Sequence, residues 1–364
     1  MGGIRGLTLK MTIFGESHGP AVGIVLDGLP PGLAVDREKI ARDMARRAPG
    51  RSRLSTRRRE EDDFLVQSGV YEGHTTGTPL CVLIPNRDQH SDDYKELRHA
   101  VRPGHADYTV SVRSGGWADL RGGGHSSGRL TAPLVWAGSL ARSWLEERGI
   151  SLAAHILSVG GTKDRSFDPA GEPEEVLRAL PEKAFPVLEE EKGQVMEEQI
   201  LRTAEQKDSL GGIVECMMQG LPAGLGDPFF DSVESRLSAM LFSIPAVKGV
   251  EFGSGFAMTR MKGSEANDPF RMEDGQIFTA SNHNGGILGG MTTGMPLLFR
   301  AAVKPTPSIG RMQKTVDIEK KINTDMVIHG RHDPCIVPRA VPVIEAAAAW
   351  TLMDLWLTDR GTQA

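Results

Sequence analysis

The chain has 364 residues, which allows one large domain or two to three smaller ones. Hydrophobic residues make up 39% and charged residues 24%, a balance that excludes a disordered chain and suits a globular one. The net charge of −5 excludes a protein that binds polyanions through its overall charge, although residues 42–59 hold eight arginines against one acid, Asp43.

In chain order, residues 7–14 and 21–27 run or alternate apolar and predict strands flanking a Gly15-Glu16-Ser17-His18-Gly19 loop. Asp36 is a candidate N-cap for a helix Arg37–Ala48, closed by Pro49-Gly50. Residues 64–71 and 79–84 predict two more strands, joined by the turn-rich 72–77. A helix follows over 132–148, with Arg142 and Glu146 four residues apart. The charged segment 173–206 favours helix. Strands are expected over 211–219 and 249–261, with a helix Asp231–Phe242 between them. The alanine-rich 340–357, carrying Trp350 and Trp356, predicts a strong helix. Helices and strands mix without a strict βαβ rhythm, so the pattern points to an α+β fold.

Three polar stretches set a histidine beside a carboxylate or arginine among glycines and prolines. They are the Glu16/His18 loop, Arg102-Pro103-Gly104-His105-Ala106-Asp107, and Gly330-Arg331-His332-Asp333-Pro334. A fourth, Arg121 to Arg129, adds three consecutive glycines and the run His125-Ser126-Ser127. Such segments bury little apolar surface and read as loops carrying acids, bases and anion ligands into a pocket. Each has a plainer reading. A lone loop histidine is more often a hydrogen-bonded structural residue, Asp333 suits a helix N-cap, and an arginine run is usually a solvated face. Aromatics are absent from 42–59, which argues against stacking on nucleic acid bases. Glycine, 43 of 364 residues, clusters at 115–128 and 285–294, where backbone must turn tightly or approach a ligand. The three cysteines have no metal-like spacing, and an odd count with no opening signal peptide points to a reduced, cytoplasmic setting. The uncharged run Ser281–Phe299 is too rich in glycine and polar residues to span a bilayer as a helix.

The ordered set GESHG, an arginine-rich segment, RPGHADYT, RGGGHSSGR, SNHNGGILGG, KPTPS and GRHDP…RAVPVIEA closely resembles chorismate synthase, from about Phe14 to about Met353, most weakly over 161–200. The resemblance implies a single domain over 1–364, with 161–206 a more variable charged segment. It implies helices sandwiched between two antiparallel four-stranded sheets, assembled as a homotetramer. It implies a carbon–oxygen lyase that eliminates phosphate from 5-enolpyruvylshikimate 3-phosphate, using reduced FMN supplied by a separate reducing system, with no net redox change. No nucleic acid, membrane or metal partner is implied.

By the same resemblance the catalytic residues are His18, His105 and Asp333. His18 would hold the reduced flavin in its anionic form, His105 would protonate the departing phosphate, and Asp333 would help remove the substrate proton. Arg42, Arg47, Arg53, Ser127, Arg129 and Arg331 would bind substrate. His125, Ser126, Ser127, Pro245, Ala246, Gly289, Lys304, Pro305, Thr306, Pro307, Ser308 and Arg331 would bind FMN. The chain departs from the family's usual pattern at Ala48, His125, Gly128, Leu130, Pro245 and Pro307; His125 stands where arginine is common, which puts flavin affinity in question. Three rival readings stand beside this one: a bifunctional enzyme that reduces its own FMN with NADPH, an RNA-binding protein acting through the arginine segment, and a non-catalytic homologue.

Overall fold

The computed structural model describes residues 3–50, 54, 62–87, 100–328 and 332–360. Its helices are α1 (Arg37–Arg47), α2 (Asp107–Ser114), α3 (Thr131–Glu146), α4 (Glu174–Ala179), α5 (Glu190–Glu205), α6 (Val233–Leu241), α7 (Gly263–Ala266) and α8 (Val337–Arg360). Two antiparallel sheets carry the rest of the frame. The first runs, edge to edge, Ile4–Arg5, Lys10–Gly15, Ala21–Asp27, Leu80–Pro85, Leu65–Ser68. The second runs Val247–Phe252, Leu297–Val303, Gly212–Gln219, Ser151–Val159, Thr162–Lys163. Each therefore has five strands where four were expected. The fifth is a two-residue edge piece in both, so four substantial strands remain.

Helices α1, α3 and α8 lie between the sheets. One hydrophobic cluster joins Val22, Ile24 and Leu26 of the first sheet, Trp136 and Leu140 of α3, Ile344 and Trp350 of α8, and Val214 and Phe299 of the second sheet. The alanine-rich face of α8 has a physical reason. A Cβ built on Gly138 of α3 would lie 2.2 Å from the Cβ of Ala346, so the two helices approach as closely as backbones allow. The stretch Val337–Asp359 is long and apolar enough to cross a membrane, but it is the core helix here, with 89% of its apolar window buried inside the protein.

Most predicted elements appear within a residue or two, and the exceptions have local causes. The first long strand begins at Lys10 because the N–H groups of Leu7, Thr8 and Leu9 are taken by the Asp354 carboxylate of α8. The strand expected over 249–261 stops at Phe252. Gly253 (φ 54°) and Gly255 (φ 47°) turn the chain into a short 3-10 helix, Gly255–Arg260. The charged segment 173–206 splits into α4 and α5, with Pro181 and Pro186 in the break. Asp36 caps α1 as expected, accepting from the N–H groups of Glu38 and Lys39 at 3.0 Å each.

Candidate functional site

The Ser17/His18 turn leaves the strand Lys10–Gly15 and is closed by the glycine-rich segment. Ser17 N–H donates to Gly124 O (3.2 Å), Ser17 Oγ to Arg121 O (3.2 Å), and His125 Nδ1 to Gly15 O (2.9 Å). Gly122, Gly123 and Gly124 all have positive φ (62°, 105°, 54°). At Gly122 the need for glycine is steric as well, because a Cβ there would sit 2.5 Å from His18 Nε2. The backbone of this loop thus forms one wall of the buried His18 side chain.

Behind the same loop lies a buried charge cluster. Arg47, at the end of α1, donates to Asp62 Oδ2 through Nε (3.1 Å) and Nη2 (2.7 Å). Arg129 Nη1 donates to Asp62 Oδ1, its Nε to Asn86 Oδ1 (2.9 Å) and its Nη2 to Pro85 O (3.1 Å). Asn86 in turn donates to Glu16 O (3.0 Å) and Gly19 O (2.9 Å), which ties the cluster to the His18 turn. Burial alone would raise the Asp62 pKa; Arg47 and Arg129 outweigh it and hold the carboxyl below its ordinary value. Two guanidiniums thus share the Asp62 carboxylate. Ser127 caps the turn that presents Arg129, its Oγ accepting from Arg129 N–H at 3.3 Å.

The second half of the site is built on Arg102 to Asp107. Arg102 clamps Asp107 through its backbone N–H (3.0 Å), Nε (2.7 Å) and Nη2 (2.7 Å), and Gly104 turns at φ 71°. The segment Lys304–Ser308 docks on this rigid loop. Lys304 Nζ donates to Gly104 O (2.6 Å), and Ser308 Oγ lies 2.6 Å from His105 Nε2. Lys304 N–H also donates to Ala246 O (2.9 Å), and Ala246 holds a left-handed φ of 77° that a non-glycine residue rarely adopts. This joins Pro245-Ala246 to the same wall. Ser209 Oγ fastens the segment from outside by donating to Thr306 O (2.6 Å).

His105 departs from the value expected of a free histidine. Burial is the largest cause, the positive Arg102 adds to it, Asp107 opposes it, and Lys304 and His332 add further; together they bring the pKa from 6.5 down to about 4. The ring is therefore neutral at neutral pH. His332 being among the groups that act on His105 also places the 332–334 loop beside the second half.

Asp333, the next residue, reaches the first half. It pairs with Arg339 Nη1, and Arg339 Nε donates to the carbonyl of Arg47 (2.8 Å). One loop therefore connects the His105 wall to the Arg47–Asp62–Arg129 cluster. Arg53 and Arg331 lie outside the described residues.

Two expected site residues, Arg42 and Gly289, make no contact with these loops that the described residues show. Arg42 is exposed and lines a cavity of about 820 Å³ with Arg46, Arg142, Lys183 and Arg339. Five residues on an α-helix is about 140° of rotation, so Arg42 and Arg47 cannot share a face. Gly289 turns the small hairpin of Ile287–Leu288 and Met291–Thr292. Its neighbour Gly290 packs on Ser232, at the start of α6, while Pro245 follows the end of that helix. The nine residues of α6 put about 13 Å between those two ends.

Asp62, Arg102, Asp107 and Arg339 carry much of this geometry and were not singled out as site residues. Asp62 sits in the acidic run Glu60–Asp63, which reads as solvated surface. Arg339 left one signal, a cation in the first turn of a helix, where the dipole disfavours it.

A family model described as chorismate synthase matches residues 9–357. A chorismate synthase of Thermococcus gammatolerans is 48% identical over 351 residues, covering 96% of each chain. One of Methanosarcina acetivorans is 47% identical over 355 residues, covering 97% of this chain and 95% of its own. A solved structure titled as the crystal structure of a chorismate synthase superposes with a TM-score of 0.79 at 28% identity, covering 98% of this chain and 94% of its own. Matched along nearly its whole length in both sequence and fold, the chain belongs to the chorismate synthase family, lyases of the shikimate pathway.

Proposed function

We propose that the loops carrying His18 and His105 bind 5-enolpyruvylshikimate 3-phosphate and reduced FMN, and that the chain eliminates phosphate from the former to give chorismate. The observation that carries this reading is the convergence of His18, His105 and Asp333 on one set of interlocked loops, beside the buried Arg47–Asp62–Arg129 cluster. A substrate with one phosphate and two carboxylates suits a wall of guanidinium, ammonium and imidazole groups.

The residues present also suit a flavin. Thr306 Oγ1 is buried and has no hydrogen-bond partner among the described residues, an unsatisfied group that a ligand atom would complete. Left-handed Gly122 brings backbone against His18 where no side chain fits. Exposed Ser126 and His125, with Lys304 through Ser308, would hold the cofactor's polar edges. Reduced FMN, when bound, would lend the elimination an electron and recover it, with no net redox change.

The chain's own groups do the proton handling. Asp333 is the carboxylate that takes the proton lost from substrate carbon. His105 enters neutral and gains its proton as the substrate's phosphate arrives. The phosphate's negative charge acts in the same water-poor site that depresses the histidine. The charged imidazole then donates to the leaving phosphate, which is a poor leaving group without a proton. Lys304 supports the departing oxygens by charge alone.

The same reading includes a homotetramer in the cytoplasm, with flavin reduction by a separate system. Two observations support the assembly and the compartment. The hairpin Phe270–Glu273 and Gln276–Thr279 leaves Phe270, Met272, Ile277 and Phe278 exposed, an apolar surface suited to a second copy. Cys81, Cys216 and Cys335 are all free thiols, as a reducing compartment requires. The reading also treats 1–364 as one domain. An anaerobic assay of phosphate release tests the function. Release should require both 5-enolpyruvylshikimate 3-phosphate and chemically reduced FMN; release with oxidised FMN, or none with reduced FMN, contradicts it.

A further inference from the structure

We propose that Arg339 is a positioning residue whose single guanidinium fixes Asp333 in register with the end of α1, so that proton removal depends on it. This rests on the role given to Asp333 above. Arg339 is the third residue of α8. Its Nη1 binds Asp333 Oδ2, and its Nε donates to Arg47 O at 2.8 Å. That carbonyl is one of the last four of α1, which have no partner within the helix. A planar guanidinium that meets both acceptors at once sets the angle between them, because its donors are held in one rigid fork. Arg47 in turn grips Asp62 through its side chain, so Arg339 links Asp333 to the Asp62 cluster.

The location argues against a role in helix stability alone. A cation in the first turn faces the positive end of the helix dipole, an unfavourable contribution of about 0.3–1 kcal/mol. Arg339 keeps 23% of its side chain exposed, so its pair with Asp333 is only partly buried. Its far side borders the cavity of about 820 Å³ lined by Ala48, Pro338 and Pro342 as well. Removing the side chain would therefore open a space continuous with solvent and large enough for a free guanidinium ion.

That cavity supplies the test. In Arg339→Ala holding reduced FMN, kcat should fall by about 10²-fold, as a displaced catalytic group typically costs, while substrate affinity with oxidised FMN stays within about threefold. Guanidinium chloride at about 20 mM, far below the molar concentrations that denature, should restore kcat roughly tenfold. Arg339→Lys, which can reach only one of the two acceptors, should fold normally and lose kcat by roughly tenfold. Asp333→Asn should lose turnover and gain nothing from guanidinium. Wild-type kcat in either Arg339 variant, or a folded Arg339→Ala that guanidinium does not restore, overturns the proposal while leaving the role of Asp333 standing. Wild-type turnover in Asp333→Asn removes that role, and the proposal with it.

Discussion

If His105 enters the reaction neutral, binding of the phosphate-bearing substrate must be accompanied by proton uptake. The perturbation is the substrate itself, added with oxidised FMN so that no turnover follows. Lowering the pKa from 6.5 to about 4 corresponds to about 3 kcal/mol in favour of the neutral ring. A single negative charge about 4 Å away, at an effective dielectric constant of about 20, contributes about 4 kcal/mol in the opposite direction. One of the two phosphate charges is thus enough to return His105 to the neutral range or above it. At about pH 7.5 the phosphate monoester is already dianionic, so its own titration adds little. Binding heats measured in two buffers of different ionisation enthalpy give the number of protons exchanged. The wild-type protein should take up roughly a quarter of a proton to one proton more than His105→Gln. Equal uptake by the two proteins would refute the assignment of His105 as the group charged by substrate.

The remaining predictions concern the frame and the charged wall. His155 is fully buried between Asp164 (3.2 Å) and Glu215 (2.9 Å). Burial disfavours its charge, but the two carboxylates outweigh burial and raise its pKa. Its stabilising contribution is therefore complete below about pH 6.5, the unfolded value, and is lost as pH rises through the higher folded value. His155→Gln should destabilise by about 3 kcal/mol at acid pH, and urea unfolding from pH 6 to 9 should show the gap to wild type narrowing; a constant gap would deny the charge on His155. Gly138→Ala should lower stability by about 1–3 kcal/mol or more through overpacking against Ala346, read by thermal unfolding, and wild-type stability would mean that α3 and α8 are not in this contact. Arg47→Ala should weaken both substrate binding and the fold, the latter by about 3 kcal/mol, because Asp62 loses one of its two buried partners. Substrate titration and urea unfolding on the same preparation separate the two effects, and an unchanged fold would place Asp62 in water.

Much of the fold was legible because its elements follow period and punctuation. Asp36 and Pro49 bracket α1, and an alanine-rich apolar run makes α8. What was not legible depends on contacts distant in sequence. The late start of the first long strand depends on Asp354, some 345 residues away, which competes for backbone N–H groups. Gly253 gave a hint of the turn that ends the strand after Phe252, but its meaning needs the close approach of His283 O, 2.1 Å from where a Cβ would be. At the site, loop motifs drew attention to His18, His105 and Asp333 because polar residues among glycines have no packing role to play. Asp62 escaped because an acid in a run of acids looks solvated until two guanidiniums enclose it. Arg42 shows the complementary effect. A run of arginines looks like one surface, but helix geometry sends Arg42 to a cavity, pairs Arg46 with Glu345 and buries Arg47. The pKa of His105 depends on burial and on Arg102, Lys304 and His332 together, which no local motif encodes.

The account's central claim is elimination that needs a reduced flavin and leaves it reduced. The most direct measurement is chorismate formed per equivalent of dithionite, under anaerobic conditions, with FMN and 5-enolpyruvylshikimate 3-phosphate in excess over enzyme. The account predicts many chorismates for each reducing equivalent, with phosphate released in equal amount to chorismate. One chorismate per FMN reduced, followed by arrest until more dithionite is added, would contradict it.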